Sequence, residues 1–278
     1  FFKQKTAYEI STRDWSSDVC SSDLISVIAE KFAIAASQSP ANYSFYLGVS
    51  NDNTEEALKI NEHKKDICGL KIFMGSSTGN MLVDNPLTLE QIFARAEVLI
   101  ATHCESEFVI RQQLQRLQQE GVELSHARMH PVIRDVEACY ASSLSAVQLA
   151  KKHQTRLHIL HISTARELNL FTNLIPLEEK RITAEVCVHH LYFTANDYDR
   201  YGNLIKCNPA IKSRENREAL WAGLLDDRMD IIATDHAPHS AESKECELQY
   251  AAFGMLGLET ALSILWKTMI ETKLISVE

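Results

Sequence analysis

Residues 68–104 read CGLKIFMGSSTGNMLVDNPLTLEQIFARAEVLIATHC, two short apolar runs separated by an amphipathic segment. The runs Cys68–Gly75 and Val98–Cys104 have the length and unbroken apolar character of strands that are buried on both faces. Between them, Thr88–Glu97 is typical of a helix, with Thr88 and Gln91 in capping-box positions. A strand, a helix and a second strand in this order predict a parallel βαβ unit.

The same alternation continues on both sides of this stretch. Further strands are predicted within residues 42–50, 156–163, 181–193 and 230–235, and further helices at 25–37, 53–64, 105–120, 135–153, 165–174, 213–225 and 256–270. Six strands with intervening helices indicate an α/β protein, either a doubly wound sheet or a β/α barrel. No G-x-G-x-x-G follows the first strand, and the loop at 75–79, GSSTG, lacks the G-K-[ST] of a phosphate loop.

The composition is that of a globular protein and favours neither nucleic acid nor membrane as a partner. The 278 residues include 45% hydrophobic and 23% charged residues, and 28 basic against 37 acidic residues give a net charge of −9. This balance gives no global support for nucleic-acid binding. No apolar run approaches the length of a membrane span. After residue 24 the six cysteines form no C-x-x-C pair, which suggests a reducing, cytoplasmic compartment.

The first 24 residues, FFKQKTAYEISTRDWSSDVCSSDL, have no helical or strand period. Lys3–Ile10 matches the translation of a common short-read library primer, and Asp14–Leu24 matches that of the read adapter. We therefore interpret residues 1–24 as a non-native, adapter-derived segment without a fold. The native segment under this interpretation is residues 25–278.

Four polar side chains stand near the carboxyl ends of successive predicted strands: Lys71, His103, His161 and Asp235. In β/α barrels this end of the strands carries the chemistry. A lysine that points into such a barrel needs a neutralising partner, and carboxylation by carbon dioxide would make it an anionic metal ligand. Two imidazoles and a carboxylate could complete a metal site. Singly, each residue is more often structural, so the signal lies in their shared position.

Other histidines carry less information. His130 lies in a polar stretch and gives no functional signal, and the pair His189 and His190 is ambiguous, with a structural role favoured.

Several strings together resemble the amidohydrolase superfamily and, within it, dihydroorotase. They are GLKIFMGSSTGNMLVDN (69–85), ATHCES (101–106), HILHISTARE (158–167), ITAEVCVHHLYF (182–193), KCNPAIKS (206–213), ATDHAPHSAESK (233–244) and AAFGMLGLETAL (251–262). The resemblance implies a distorted (β/α)8 barrel with two zinc ions. It also implies reversible conversion of L-dihydroorotate to N-carbamoyl-L-aspartate in pyrimidine biosynthesis.

The resemblance assigns roles to seven residues. Lys71 would be the carboxylated lysine that bridges the metals, His103 and His161 would hold the second zinc, and Asp235 would ligate the first zinc and move protons. Asn208, Lys212 and His239 would contact the substrate. Lys212 stands where arginine is more usual, so it would bind a carboxylate less bidentately.

Two departures from the family pattern matter. The H-x-H-x-R motif of its first strand, which supplies two ligands of the first zinc, does not occur here, and neither does its second strand. We therefore expect residues 25–278 to form strands three to eight, about six of eight, of an incomplete barrel. For this chain alone we expect low solubility, partial zinc occupancy and poor activity.

Two alternatives remain open at this point. Another cyclic amidohydrolase, such as a dihydropyrimidinase, hydantoinase or allantoinase, would share the metal ligands. A non-catalytic dihydroorotase-like scaffold subunit would explain the missing H-x-H. For a dihydroorotase the expected partner is its small-molecule substrate, dihydroorotate or N-carbamoyl-L-aspartate. A homodimer or an association with aspartate transcarbamoylase is also open.

Overall fold

The computed structural model describes residues 24–65, 67–75 and 81–274. The adapter-like segment, except for Leu24, and residues 76–79 of the GSSTG loop lie outside the described residues. In the part described, no helix is both long and apolar enough to cross a membrane.

The described residues contain six strands: β1 Tyr46–Gly48, β2 Gly69–Phe73, β3 Leu99–His103, β4 Leu157–Ile159, β5 Ile182–Cys187 and β6 Ile231–Ala233. The helices are α1 Leu24–Gln38, α2 Thr54–Leu58, α3 Pro86–Arg95, α4 Glu107–Gln119, α5 His130–Ile133, α6 Val136–His153, α7 Val188–Tyr192, α8 Tyr198–Tyr201, α9 Arg214–Leu225, α10 Ala241–Lys244 and α11 Ala261–Leu265. The predicted alternation of strands and helices is thus confirmed, with strands shorter than the apolar runs that contain them.

The chain divides into two compact units. The first comprises the described residues up to Cys104 together with Ser145–Ile159, and it holds β1 to β4 in sequential, parallel order. Its core is aliphatic, since Leu70, Ile72, Ile100, Leu157 and Ile159 are completely buried. Burial of strand residues on both faces explains why the sequence shows continuous apolar runs here rather than alternation.

Gly69 fixes how closely β2 and β3 approach. Its φ of +151° lies in a region that favours glycine, and a Cβ there would lie 2.0 Å from the Leu99 carbonyl oxygen. Because Gly69 pairs with Leu99 at the start of the β2–β3 ladder, the absence of a side chain allows the register in which Phe73 lies opposite His103.

The second unit comprises Glu105–Leu144 and the described residues from Leu160 onward. Its strands β5 and β6 are parallel, with Cys187 opposite Ala233. A separate core forms around Tyr198, Ile205, Cys207 and Ile211. On β6, Ile231 is 46% exposed, which leaves apolar strand surface open to solvent.

Three local predictions are wrong. Asn85 rather than Thr88 caps α3, since the Asn85 side chain accepts a hydrogen bond from the Leu87 N–H and Pro86 occupies the first helical position. The helix expected at 165–174 is only a 3₁₀ turn, Glu167–Leu170. The helix expected at 256–270 begins at Ala261 and ends in a π-helical turn, Trp266–Ile270.

Candidate active site

Lys71 and His103 lie on one face of the sheet in the first unit, and both lie close to the Phe73 ring. Lys71 and Phe73 are half-buried on the face of β2 opposite to Leu70 and Ile72. The Lys71 Nζ is 4.4 Å from the centroid of the Phe73 ring, and that ring is 5.9 Å from the buried His103 ring. The structure thus brings these two predicted residues together near the carboxyl ends of β2 and β3.

His161 and Asp235 belong to the second unit, and each follows the last residue of a strand by two positions. Both have a left-handed backbone, with φ of 40° and 43°, which is uncommon outside glycine and typical of functional positions. The His161 N–H donates to Glu185 Oε1 on β5 at 3.2 Å. His161 is buried, whereas Asp235 is exposed.

The segment after His161 is anchored by Glu167, a residue that the sequence did not single out. Its carboxylate accepts hydrogen bonds from Ser143 Oγ at 2.6 Å and Thr164 Oγ at 2.8 Å. Burial raises the pKa of Glu167, and these hydroxyl donors oppose that rise. These hydrogen bonds hold Glu167 at the start of the 3₁₀ turn Glu167–Leu170.

Asn208 presents an unpaired buried amide. It is 7% exposed, and within the described structure neither its Oδ1 nor its Nδ2 has a hydrogen-bond partner. An unsatisfied buried amide costs about 1–3 kcal/mol, so such a group calls for a ligand. Nearby in the chain, the buried Lys212 donates from Nζ to the Ala210 carbonyl at 2.9 Å.

Two buried imidazoles hold the backbone on both sides of Asn208. His130 Nε2 lies 2.9 Å from the Cys207 carbonyl, and His190 Nε2 lies 3.0 Å from the Pro209 carbonyl. Because a carbonyl can only accept, each Nε2 carries the proton. Burial lowers the pKa of His130 to about 3 and that of His190 to about 4, so both rings are neutral at physiological pH. His130, which gave no sequence signal, is thus a positioning residue.

His239 lies between β6 and α10, just before a segment that two buried lysines fasten. Lys206 Nζ donates to the carbonyls of Leu248 and Ala251, and Lys244 Nζ donates to the Lys206 carbonyl at 3.0 Å. His239 is half-buried, and desolvation lowers its pKa. This loop therefore presents His239 as a neutral imidazole near neutral pH.

The predicted metal ligands fit zinc by donor type. Zinc accepts imidazole nitrogen and carboxylate oxygen, which His103, His161 and Asp235 offer and which a carboxylated Lys71 would add. Lys71 and His103 lie in the first unit, and His161 and Asp235 lie in the second.

Comparisons with curated proteins give dihydroorotases as relatives. The chain is 34% identical over 195 residues to the dihydroorotase of Pyrococcus furiosus, a match that covers 70% of this chain and 40% of that protein. The match to the dihydroorotase of Lactobacillus gasseri is 34% identical over 182 residues, 65% of this chain and 41% of the relative. The match to the dihydroorotase of Leifsonia xyli is 44% identical over 126 residues, and it covers 45% of this chain and 28% of that protein. These matches span less than half of each relative, and no protein-family model matches the chain.

Solved structures show the same fold. The L-hydantoinase of Arthrobacter aurescens superposes with a TM-score of 0.82 at 24% identity, covering 91% of this chain and 56% of the hydantoinase. The dihydroorotase of Saccharomyces cerevisiae, solved with 5-fluoroorotic acid, superposes with a TM-score of 0.66 at 14% identity. The superposition covers 90% of this chain and 69% of the yeast chain. The predicted α/β fold, part of a TIM-like (β/α)8 barrel, is confirmed by these likenesses.

Proposed function

We propose that the chain is a dihydroorotase-like member of the amidohydrolase superfamily and that it serves as a zinc-dependent dihydroorotase in the cytoplasm. The proposed reaction interconverts L-dihydroorotate and N-carbamoyl-L-aspartate, a step of pyrimidine biosynthesis. The identities of 34–44% to proteins named dihydroorotase support this assignment. The proposed substrate preference rests on Asn208 and Lys212 in the second unit.

The unpaired amide of Asn208 is the observation that carries the proposal. A primary amide offers a donor and an acceptor side by side, and the N–H and C=O edge of a cyclic ureide offers the complementary pair. The flanking carbonyls of Cys207 and Pro209 are fixed by imidazoles, so the amide is held in place before a ligand arrives. A dihydropyrimidine ring is the kind of ligand that satisfies both atoms.

Lys212 supplies the preference for a carboxylate. Its Nζ has three N–H donors, and the Ala210 carbonyl accepts one of them. A buried ammonium attracts an anion more strongly than an exposed one because water screens it less. Dihydroorotate carries a ring carboxylate, whereas dihydrouracil and unsubstituted hydantoin do not. The neutral His239 adds a hydrogen-bonding group to the same substrate.

The residues proposed to hold zinc are Lys71, His103, His161 and Asp235. Zinc held by these residues would polarise the ring amide carbonyl and would activate water. Asp235 accepts a proton from the attacking water and passes it to the ring nitrogen as the carbon–nitrogen bond breaks, which yields the open carbamoyl compound. In the reverse direction the same carboxylate removes the proton from that nitrogen.

The test is a substrate panel on the protein expressed from genomic DNA that encodes residues 25–278 in their natural open reading frame. Purified, zinc-loaded protein is given L-dihydroorotate, 5,6-dihydrouracil and hydantoin at equal concentrations. We expect turnover of dihydroorotate well above that of the other two. Preferential hydrolysis of dihydrouracil or hydantoin would assign the protein to the other cyclic amidohydrolases, and no turnover of any of them would favour a scaffold subunit.

A further inference from the structure

Three buried side chains of metal-binding type converge at the end of β5. Among the described residues, Cys187, His189 and His190 are the one group of three in which one ligand atom from each lies within 4.8 Å of the others. The two histidine rings are 4.4 Å apart between centroids. All three residues are buried, and none of them belongs to the ligand set Lys71, His103, His161 and Asp235.

The hydrogen bonds of the pair show which nitrogen atoms are available to a ligand. His190 Nε2 donates to the Pro209 carbonyl, so His190 Nδ1 is the unprotonated nitrogen. That Nδ1 is buried and has no hydrogen-bond partner in the described structure, and the same holds for His189 Nε2. A ring that donates one N–H to a carbonyl and leaves its other nitrogen unpaired has the arrangement of a metal-ligating histidine.

We propose that Cys187, His189 and His190 form an additional metal site for a thiophilic divalent ion of the zinc type. One thiolate and two imidazoles are donors that zinc accepts, and three protein ligands leave a fourth position for water. Tetrahedral bonds of about 2.0–2.3 Å place donor atoms about 3.3–3.6 Å apart. Separations of up to 4.8 Å between ligand atoms therefore require a contraction of up to about 1.5 Å when the metal binds.

The charges around the cluster suit a thiolate-containing site. Burial lowers the pKa of both histidines, which keeps the imidazoles neutral and able to bind. Lys212 and Glu105, one cation and one anion, both act on His190. A divalent ion bound to one thiolate and two neutral imidazoles carries a net single positive charge, because the thiolate is the one charged ligand.

Cobalt is the probe, because a thiolate bound to Co²⁺ gives an intense charge-transfer absorption band that nitrogen and oxygen ligands do not give. The chain is expressed in medium supplemented with Co²⁺, so that the buried site loads during folding, and its spectrum and cobalt content are measured. The expected zinc ligands contain no cysteine, so this band reports on the proposed site alone. We expect the band in the unmodified protein and its loss in Cys187→Ser, with the cobalt content lower by about one ion per chain.

Cys139→Ser is the matched control, because Cys139 is also buried in the second unit and lies outside the cluster. It should keep the band, while His189→Asn should weaken cobalt binding without removing the thiol. The absence of a thiolate band from the unmodified protein overturns the proposal, whatever the variants do. A band that survives Cys187→Ser, or that disappears in Cys139→Ser, overturns it equally.

Discussion

Acid should destabilise the second unit through His130. This ring is buried, donates to the Cys207 carbonyl and stacks on Phe253 at 6.0 Å between centroids. Burial lowers its pKa from 6.5 to about 3, with the charge of Arg134 adding to the effect. Since the unfolded chain takes up the proton first, the free energy of unfolding is highest above pH 6.5 and falls as the pH drops toward 3.

The size of the effect follows from the difference between the pKa of His130 in the unfolded chain and its pKa in the folded chain. Between pH 6.5 and pH 5 the unfolded state gains about 1.4 kcal/mol per pH unit relative to the folded state, or about 2 kcal/mol in all. His130→Gln keeps a donor for the Cys207 carbonyl but does not titrate. It should cost about 1–3 kcal/mol at pH 7.5, because the ring stacking is lost. At pH 5 that cost should shrink by about 2 kcal/mol.

Urea unfolding at pH 7.5 and pH 5.0 measures both quantities. His126→Gln is the control, because His126 is exposed, and it should keep the pH dependence of the unmodified protein. If His130→Gln and the unmodified protein lose equal stability between the two pH values, the account of His130 as a buried neutral ring is wrong.

Two further substitutions test the fold. Gly69→Ala should lower the free energy of unfolding in urea by about 2 kcal/mol or more, because its Cβ would clash with the Leu99 carbonyl. Gly121→Ala is the control, because no atom lies within 4 Å of its Cβ, and it should cost about 1 kcal/mol. Equal costs would contradict the close approach of β2 and β3. Arg134→Met should lower the free energy of unfolding by about 3–5 kcal/mol, because it removes the guanidinium that lies 2.6 Å from the buried Glu105 carboxylate. Adding Glu105→Gln to this variant should recover part of the lost stability. No recovery would contradict a buried ion pair.

The six strands were predictable from their apolar runs, which for β3 and β4 reflect burial on both faces, although Ile231 of β6 is 46% exposed. The ends of the strands were harder to predict, because a strand extends only as far as it pairs with its neighbour. The apolar run at 42–50, for example, pairs with β2 only over Tyr46–Gly48. The burial of Glu167 at the start of the turn Glu167–Leu170 was not predictable, because its hydrogen-bond donor Ser143 lies 24 residues away in the sequence. Local propensity carries no information about such a contact.

The candidate site divides in the same way. Lys71, His103, His161 and Asp235 remain predicted site residues, proposed from their shared position near the carboxyl ends of strands. His130 escaped notice because its partner carbonyl is 77 residues further along the chain, and its own neighbours are polar. The pair His189 and His190 was assigned a structural role, and one ring nitrogen of His190 does bind the backbone. The unpaired nitrogens that suggest a metal site are visible only in three dimensions.

The most direct test of the account is the ratio of kcat/KM for L-dihydroorotate to that for 5,6-dihydrouracil, two rings that differ by one carboxylate. It is measured on the zinc-loaded protein and on Lys212→Met, with the exposed Lys152→Met as control. We predict a ratio well above one that falls about 100-fold or more in Lys212→Met and is unchanged in Lys152→Met. A ratio near one in the unmodified protein, or a ratio that Lys212→Met leaves intact, would contradict a site built to hold dihydroorotate.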